Sequence, residues 1–128
     1  MQLIVVAAGG ALGAILRFLV SNSVSQHLGR EFPYGTLTVN LVGSLLMGFL
    51  FVMISAFPGI SPHWRSLLLV GFLGAFTTFS TFSLDTLDLA LRGEWLAGLI
   101  NIGVSVVLCI GACWLGMSVA KLFFQYNI

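Results

Sequence analysis

Polar and apolar residues along this chain segregate into long blocks instead of alternating. Four apolar stretches, Leu3–Val20, Thr36–Phe57, Ser66–Leu84 and Trp95–Ala120, run for 18 to 26 residues, and only the first contains a charge, Arg17 near its end. A hydrocarbon layer about 30 Å thick, crossed at 1.5 Å per helical residue, needs about 20 such residues, so each stretch predicts a membrane-spanning helix. A membrane β-strand would alternate over about ten positions, whereas Leu67–Val70 is continuously apolar. The first stretch lacks a basic region ahead of it and a small-x-small exit site, so it reads as a retained helix and not as a secretory signal. The expected fold class is all-α integral membrane, one four-helix transmembrane domain over 1–128 with spans at about 3–20, 36–57, 66–88 and 95–120.

The pattern within the blocks refines this picture. Small residues recur four apart at Gly9 and Gly13, Ser44 and Gly48, and Ala112 and Gly116. That spacing lets helix backbones approach closely in lipid, where apolar burial gives no driving force. The connections Ser21–Gly35, Pro58–Arg65 and Asp85–Glu94 are short and leave no room for an extramembrane domain.

Composition agrees. Hydrophobic residues make up 59% of the 128 and charged ones 7%, against about a quarter charged in soluble domains. A net charge of +1 without a basic cluster gives no footprint for nucleic acid. With four crossings, Arg65 and Lys121 fall on one side, and Arg17, Arg30 and Arg92 on the other. Orientation normally follows a Lys/Arg excess on cytoplasmic loops. A chain this balanced is expected either to insert both ways and pair head-to-tail as an antiparallel homodimer, or to hold one orientation on a slight bias. Four helices enclose little beyond their own side chains, so a solute path also favours an oligomer.

Polar groups inside the spans are the candidates for function, because hydrocarbon penalises them unless they are paired. Five hydroxyl residues, Thr77, Thr78, Ser80, Thr81 and Ser83, crowd the third span just after Gly71 and Gly74. Isolated hydroxyls bond back to their own helix. Five together predict a helix broken near its middle, with freed backbone carbonyls of the kind that coordinate Na⁺ in transport proteins; the alternative is a polar helix–helix seam. Phe76, Phe79 and Phe82 recur every third residue through the cluster. Packing explains most such stripes, but rings interleaved with hydroxyls can line one path, and their positive edges can face a small anion.

Asn40 is the strongly polar side chain of the second span, offering two donors and an acceptor. In the fourth, Asn101, Ser105 and Cys109 share one face as a polar track. Cys109 and Cys113, four apart on one helix, read as packing residues, since neither a further thiol nor a membrane histidine completes a soft-metal site. His27 and His63 read as surface residues in loops, and Asp88 with Arg92 as a solvated i,i+4 pair. The spans hold no central Asp or Glu, which counts against a small four-helix, dual-topology exporter or antiporter driven by protons. No buried base stands ready beside the hydroxyls, so an enzyme is not expected.

Three segments together, Gly-Ala-Phe-Thr-Thr-Phe-Ser-Thr-Phe-Ser over 74–83, Gly35-Thr-Leu-Thr-Val-Asn40, and Gly9-Gly-Ala-Leu-Gly-Ala-Ile-Leu-Arg17, resemble the Fluc/CrcB family of bacterial fluoride channels. The resemblance covers the four spans in order. It implies an antiparallel, dual-topology homodimer with two pores that passively exports fluoride across the bacterial inner membrane and so lowers cytoplasmic fluoride. It places Phe79, Phe82 and Asn40 along the pores, with hydroxyls of Ser80, Thr81, Ser83 and Ser105 near the rings. It also implies a structural Na⁺ at the dimer centre, held by backbone carbonyls of Gly74 and Thr77 from each subunit. The chain departs from the family pattern at Asp85, where a glutamate is common, and at Asn101 and Cys109, where an aromatic hydroxyl and serine are usual. The physical expectation is a path that replaces water around fluoride by amide, hydroxyl and ring edge, without a fixed cation to hold the ion back.

Overall fold

The computed structural model describes residues 1–124. They form α1 (Gln2–Leu28), α2 (Tyr34–Ala56), a third span in four pieces and α6 (Trp95–Phe124). The third span comprises α3 (Pro62–Arg65), a π-helical segment (Ser66–Leu73), α4 (Gly74–Phe76) and α5 (Phe79–Leu91). Among the described residues four helical stretches are long and apolar enough to cross a membrane, the third being Pro62–Leu91. Among the described residues there is no strand.

The helices outrun the apolar stretches that mark them. α1 continues through Ser21–Leu28, so His27 lies in its last turn, and His63 lies in α3; both are helical and exposed, not loop residues. The turns after α1 and α5 need a backbone only glycine adopts without strain, φ 92° at Gly29 and φ 84° at Gly93. The third span starts on a serine cap: Ser61 Oγ accepts from the His63 amide at 3.4 Å, with Pro62 at the first helical position, where its missing N–H is no loss. The wider winding over Ser66–Leu73 is not encoded in any local pattern of apolar and polar residues.

Packing follows the small residues. A Cβ on Gly48 would collide with the Cys113 carbonyl, and one on Gly116 with the Leu45 carbonyl, so α2 and α6 touch backbone to backbone. Likewise Gly9 and Gly13 bring α1 onto the carbonyls of Leu67 and Phe72. Val39, Leu69, Leu73 and Phe76 form the core between α2 and the first half of the third span. Outside, Phe18, Val107 and Trp114 stand exposed, which is the arrangement expected of a surface solvated by lipid tails.

Candidate functional site

The third span is interrupted at the hydroxyl cluster. Thr77 (φ −86°, ψ 159°) and Thr78 (φ −152°, ψ 119°) are extended, and helix resumes at Phe79. An extended pair within a membrane span exposes amides and carbonyls that hydrocarbon cannot satisfy, so each must find a partner. Asn40 of α2 supplies two of them. Its Oδ1 accepts from the Thr78 amide at 2.7 Å, and its Nδ2 donates to the Thr78 carbonyl at 2.9 Å. One side-chain amide thus pairs both backbone groups of a single residue, as an adjacent strand would.

Thr78 then caps the next helix, its Oγ1 accepting from the Thr81 amide at 3.2 Å and donating to Thr81 Oγ1 at 3.1 Å. Thr77 closes the preceding one, with its amide and hydroxyl both donating to the Leu73 carbonyl, at 3.0 and 2.9 Å. These bonds have a further effect. In an unbroken helix the Thr78 amide would close on the Gly74 carbonyl and the Thr81 amide on that of Thr77. Both amides are diverted, to Asn40 and to the Thr78 hydroxyl, which frees the two carbonyls.

Beside the break lies a groove of about 340 Å³, open on one side and lined by Asn40, Ser44, Met47, Thr77, Thr78, Phe79, Phe82, Ser105, Cys109 and Cys113 among others. The Phe79 and Phe82 rings lie 5.4 Å apart at 46°. Phe76, of the same stripe, falls on the other side of the break, buried and stacked on Phe72. From the groove a chain of hydrogen bonds climbs between α5 and α6. Ser105 donates to Asn101 Oδ1 at 3.3 Å, Asn101 Nδ2 to Thr86 Oγ1 at 2.9 Å, and Thr86 to the Phe82 carbonyl at 2.7 Å. Asn101 is 2% exposed, so this chain is interior.

The fold brings Asn40, Thr77, Phe79, Phe82 and Ser105 together on the groove. Ser80, Thr81, Ser83 and Gly74 are exposed and lie off it. Ser83 donates to the Phe79 carbonyl at 2.9 Å, and Ser80 sits 3.3 Å from Thr78 Oγ1. Thr81 faces two separate clefts, one with Arg17 and Asn22 and one with Arg30, Asp85 and Arg92. In the second cleft the buried Thr36 donates to Asp85 Oδ2 at 2.6 Å, while Arg92 pairs with Asp88 at 3.1 Å and Glu94 at 3.7 Å. Sequence reasoning missed Thr36 as the partner of Asp85, and also missed Thr86. The only available signal for Thr86 was its place one turn after Phe82.

Residues 4–117 match the family described as CrcB-like protein, Camphor Resistance (CrcB). A fluoride-specific ion channel FluC of Magnetococcus marinus is 51% identical over 122 residues, 95% of this chain and 99% of that protein. The protein of the same name from Hydrogenovibrio crunogenus is 49% identical over 125 residues, 98% of this chain and 95% of its own length. That from Methylococcus capsulatus is 50% identical over 121 residues, 94% of this chain but 53% of the relative, so the chain spans about half of it. The family match takes in the groove, the break and parts of all four spans, and with it the chain is shown to be a multi-pass membrane protein that belongs to the CrcB family.

Proposed function

We propose that this protein is a fluoride channel, passively carrying F⁻ out across the bacterial inner membrane and lowering cytoplasmic fluoride. The observation that carries this reading is the groove at the break, where the Asn40 amide, the Ser105 hydroxyl and the Phe79 and Phe82 rings meet with no Lys or Arg among the lining residues. Fluoride is small and strongly hydrated, so a path must offer donors in place of water and still release the ion. The second Nδ2 hydrogen of Asn40 is free of the Thr78 carbonyl, and ring edges add weak positive character. The names of the relatives support the same ion. Ser80, Thr81 and Ser83 serve the path from the exposed face of α5, where a second subunit can complete it.

That second subunit is a copy of this chain in antiparallel orientation. The near-even placement of five Lys+Arg supports dual topology, and a groove open on one side needs a second wall. The freed carbonyls of Gly74 and Thr77 fit a structural Na⁺ at the dimer centre, two from each subunit, being hard oxygen donors with no amide of their own. When bound, the ion would supply fixed positive charge and hold the two breaks together. The chain's own part is to keep those carbonyls pointing away from their helix, which Asn40 and the Thr78 hydroxyl do.

The test is efflux from liposomes holding purified protein, with fluoride measured beside chloride and beside a proton-gradient control. Electrogenic fluoride efflux is expected, slowed or abolished by Phe82→Ile while the dimer persists. No fluoride current, or efflux that follows the proton gradient as in an exporter or antiporter, would sink the reading.

A further inference from the structure

Three sulfur-bearing side chains converge on the groove, and the transport path uses none of them. Cys109 and Cys113 are free thiols one turn apart on α6, both partly buried and both on the groove wall. By spacing alone they are a pair without a third ligand. The fold supplies one: Met47 of α2 lines the same groove. Its neighbour Gly48 fixes the approach, because a Cβ there would strike the Cys113 carbonyl and lie 3.0 Å from the Met117 amide. Met47 and Cys113 therefore sit beside the tightest contact between the two helices.

Residues four apart on a helix place their Cβ atoms about 5–6 Å from each other, close enough for two sulfurs to share one ion. Thiols and thioethers are soft donors, and they select soft cations over hard ones such as Na⁺ or Mg²⁺. The geometry points to a site for one soft monovalent cation of the Cu⁺ or Ag⁺ class, held by Cys109, Cys113 and Met47.

Charge supports a monovalent ion. With one thiolate the unit is neutral, so it needs no counter-charge in an apolar wall. The second thiol and the thioether ligate as neutral donors. Binding then balances as Cys–SH plus Ag⁺ giving Cys–S–Ag plus H⁺, with one proton passed to solvent per ion. An ion at this place also narrows the groove beside Ser105 and Phe82. That obstruction rests on the fluoride reading, whereas binding does not.

The experiment is an Ag⁺ titration of the purified protein in chloride-free nitrate buffer, following proton release and the thiols left open to a maleimide. One ion per chain, one proton per ion and protection of both thiols are expected. Each single variant, Cys109→Ser, Cys113→Ser or Met47→Leu, keeps a thiolate and should weaken binding by roughly ten- to a hundredfold, whereas the Cys109→Ser, Cys113→Ser double variant should abolish it. Thermal unfolding of each variant identifies any that fails to fold, and Met47→Leu, which keeps volume and apolarity, stands as the independent arm. Two ions bound independently per chain, or unchanged affinity in Met47→Leu, would overturn the three-sulfur site. In liposomes Ag⁺ should stop fluoride efflux by the wild type and spare the Cys109→Ser, Cys113→Ser double variant. Tight binding with undiminished efflux would uphold the site and overturn a fluoride path through this groove.

Discussion

Along α2 the chain makes two contacts of opposite kinds. Toward α6, Gly48 lies on the Cys113 carbonyl and Gly116 returns the contact on that of Leu45, so that seam is built by removing side chains. Toward the third span, Asn40 reaches the extended Thr78 and pairs its amide and carbonyl, so that seam is built by adding one. In lipid the first gains from dispersion at close range. The second gains because the alternative is a bare peptide group in hydrocarbon. The difference explains why the break holds one defined shape: its backbone bonds are specified from outside its own helix.

The largest expected effect falls on the polar seam. Asn40→Leu leaves both Thr78 backbone groups without partners, at about 1–3 kcal/mol each. The melting temperature in detergent should drop steeply, and Asn40→Asp, which can still accept from the amide, should recover part of the loss. Equal melting of the leucine and asparagine proteins would mean that the break satisfies itself. On the glycine seam, Gly116→Ala forces a backbone shift worth about 1–3 kcal/mol. Gly103→Ala on the same helix, where a Cβ meets nothing within 4 Å, should instead gain up to about 1 kcal/mol from helix propensity. Identical responses at the two glycines would erase the contrast between a seam and an open face.

A smaller effect belongs to Thr78→Ala, which removes the cap on α5 at about 1 kcal/mol and leaves the Thr81 amide without its partner, because Asn40 still holds Thr78 extended. Thr78→Ser keeps the hydroxyl and should restore stability, and hydrogen exchange at the Thr81 amide reports the loss directly. Smallest is Asp88→Asn. Its pair with Arg92 is solvent-exposed and four residues apart, so a few tenths of a kcal/mol are expected; a large loss would make the α5 terminus a structural contact.

How far the sequence reaches is clearest at the break. The crowding of Thr77, Thr78, Ser80, Thr81 and Ser83 pointed to an interruption, with a polar helix–helix seam as the alternative, because so many hydroxyls and a nearby pair of glycines disfavour an unbroken membrane helix. It did not say which hydroxyl caps, which turns back on its helix as Ser83 does, or which faces a cleft as Thr81 does. Those outcomes depend on one or two residues of phase after the extended pair, and phase is set by where α5 meets α6. The stripe Phe76, Phe79 and Phe82 was split for the same reason, since the break rotates the second half of the span relative to the first. The partnerships of Asn40 with Thr78 and of Thr36 with Asp85 cross 38 and 49 residues and have no local signature.

By itself the sequence determined that the chain crosses the bilayer as helices, because unbroken apolar blocks without charge have no other stable form there. It also determined where small residues let backbones touch, and it marked the hydroxyl run of the third span as either a break or a polar seam. Only the tertiary structure decided that Asn40 holds the break open, that the carbonyls of Gly74 and Thr77 are left free, and that Met47 lines the same groove as the two cysteines. Each of those results depends on how separate helices are placed against one another. That placement is set by glycine contacts and backbone hydrogen bonds between segments far apart in the chain, a relation that the order of residues along any one helix does not contain.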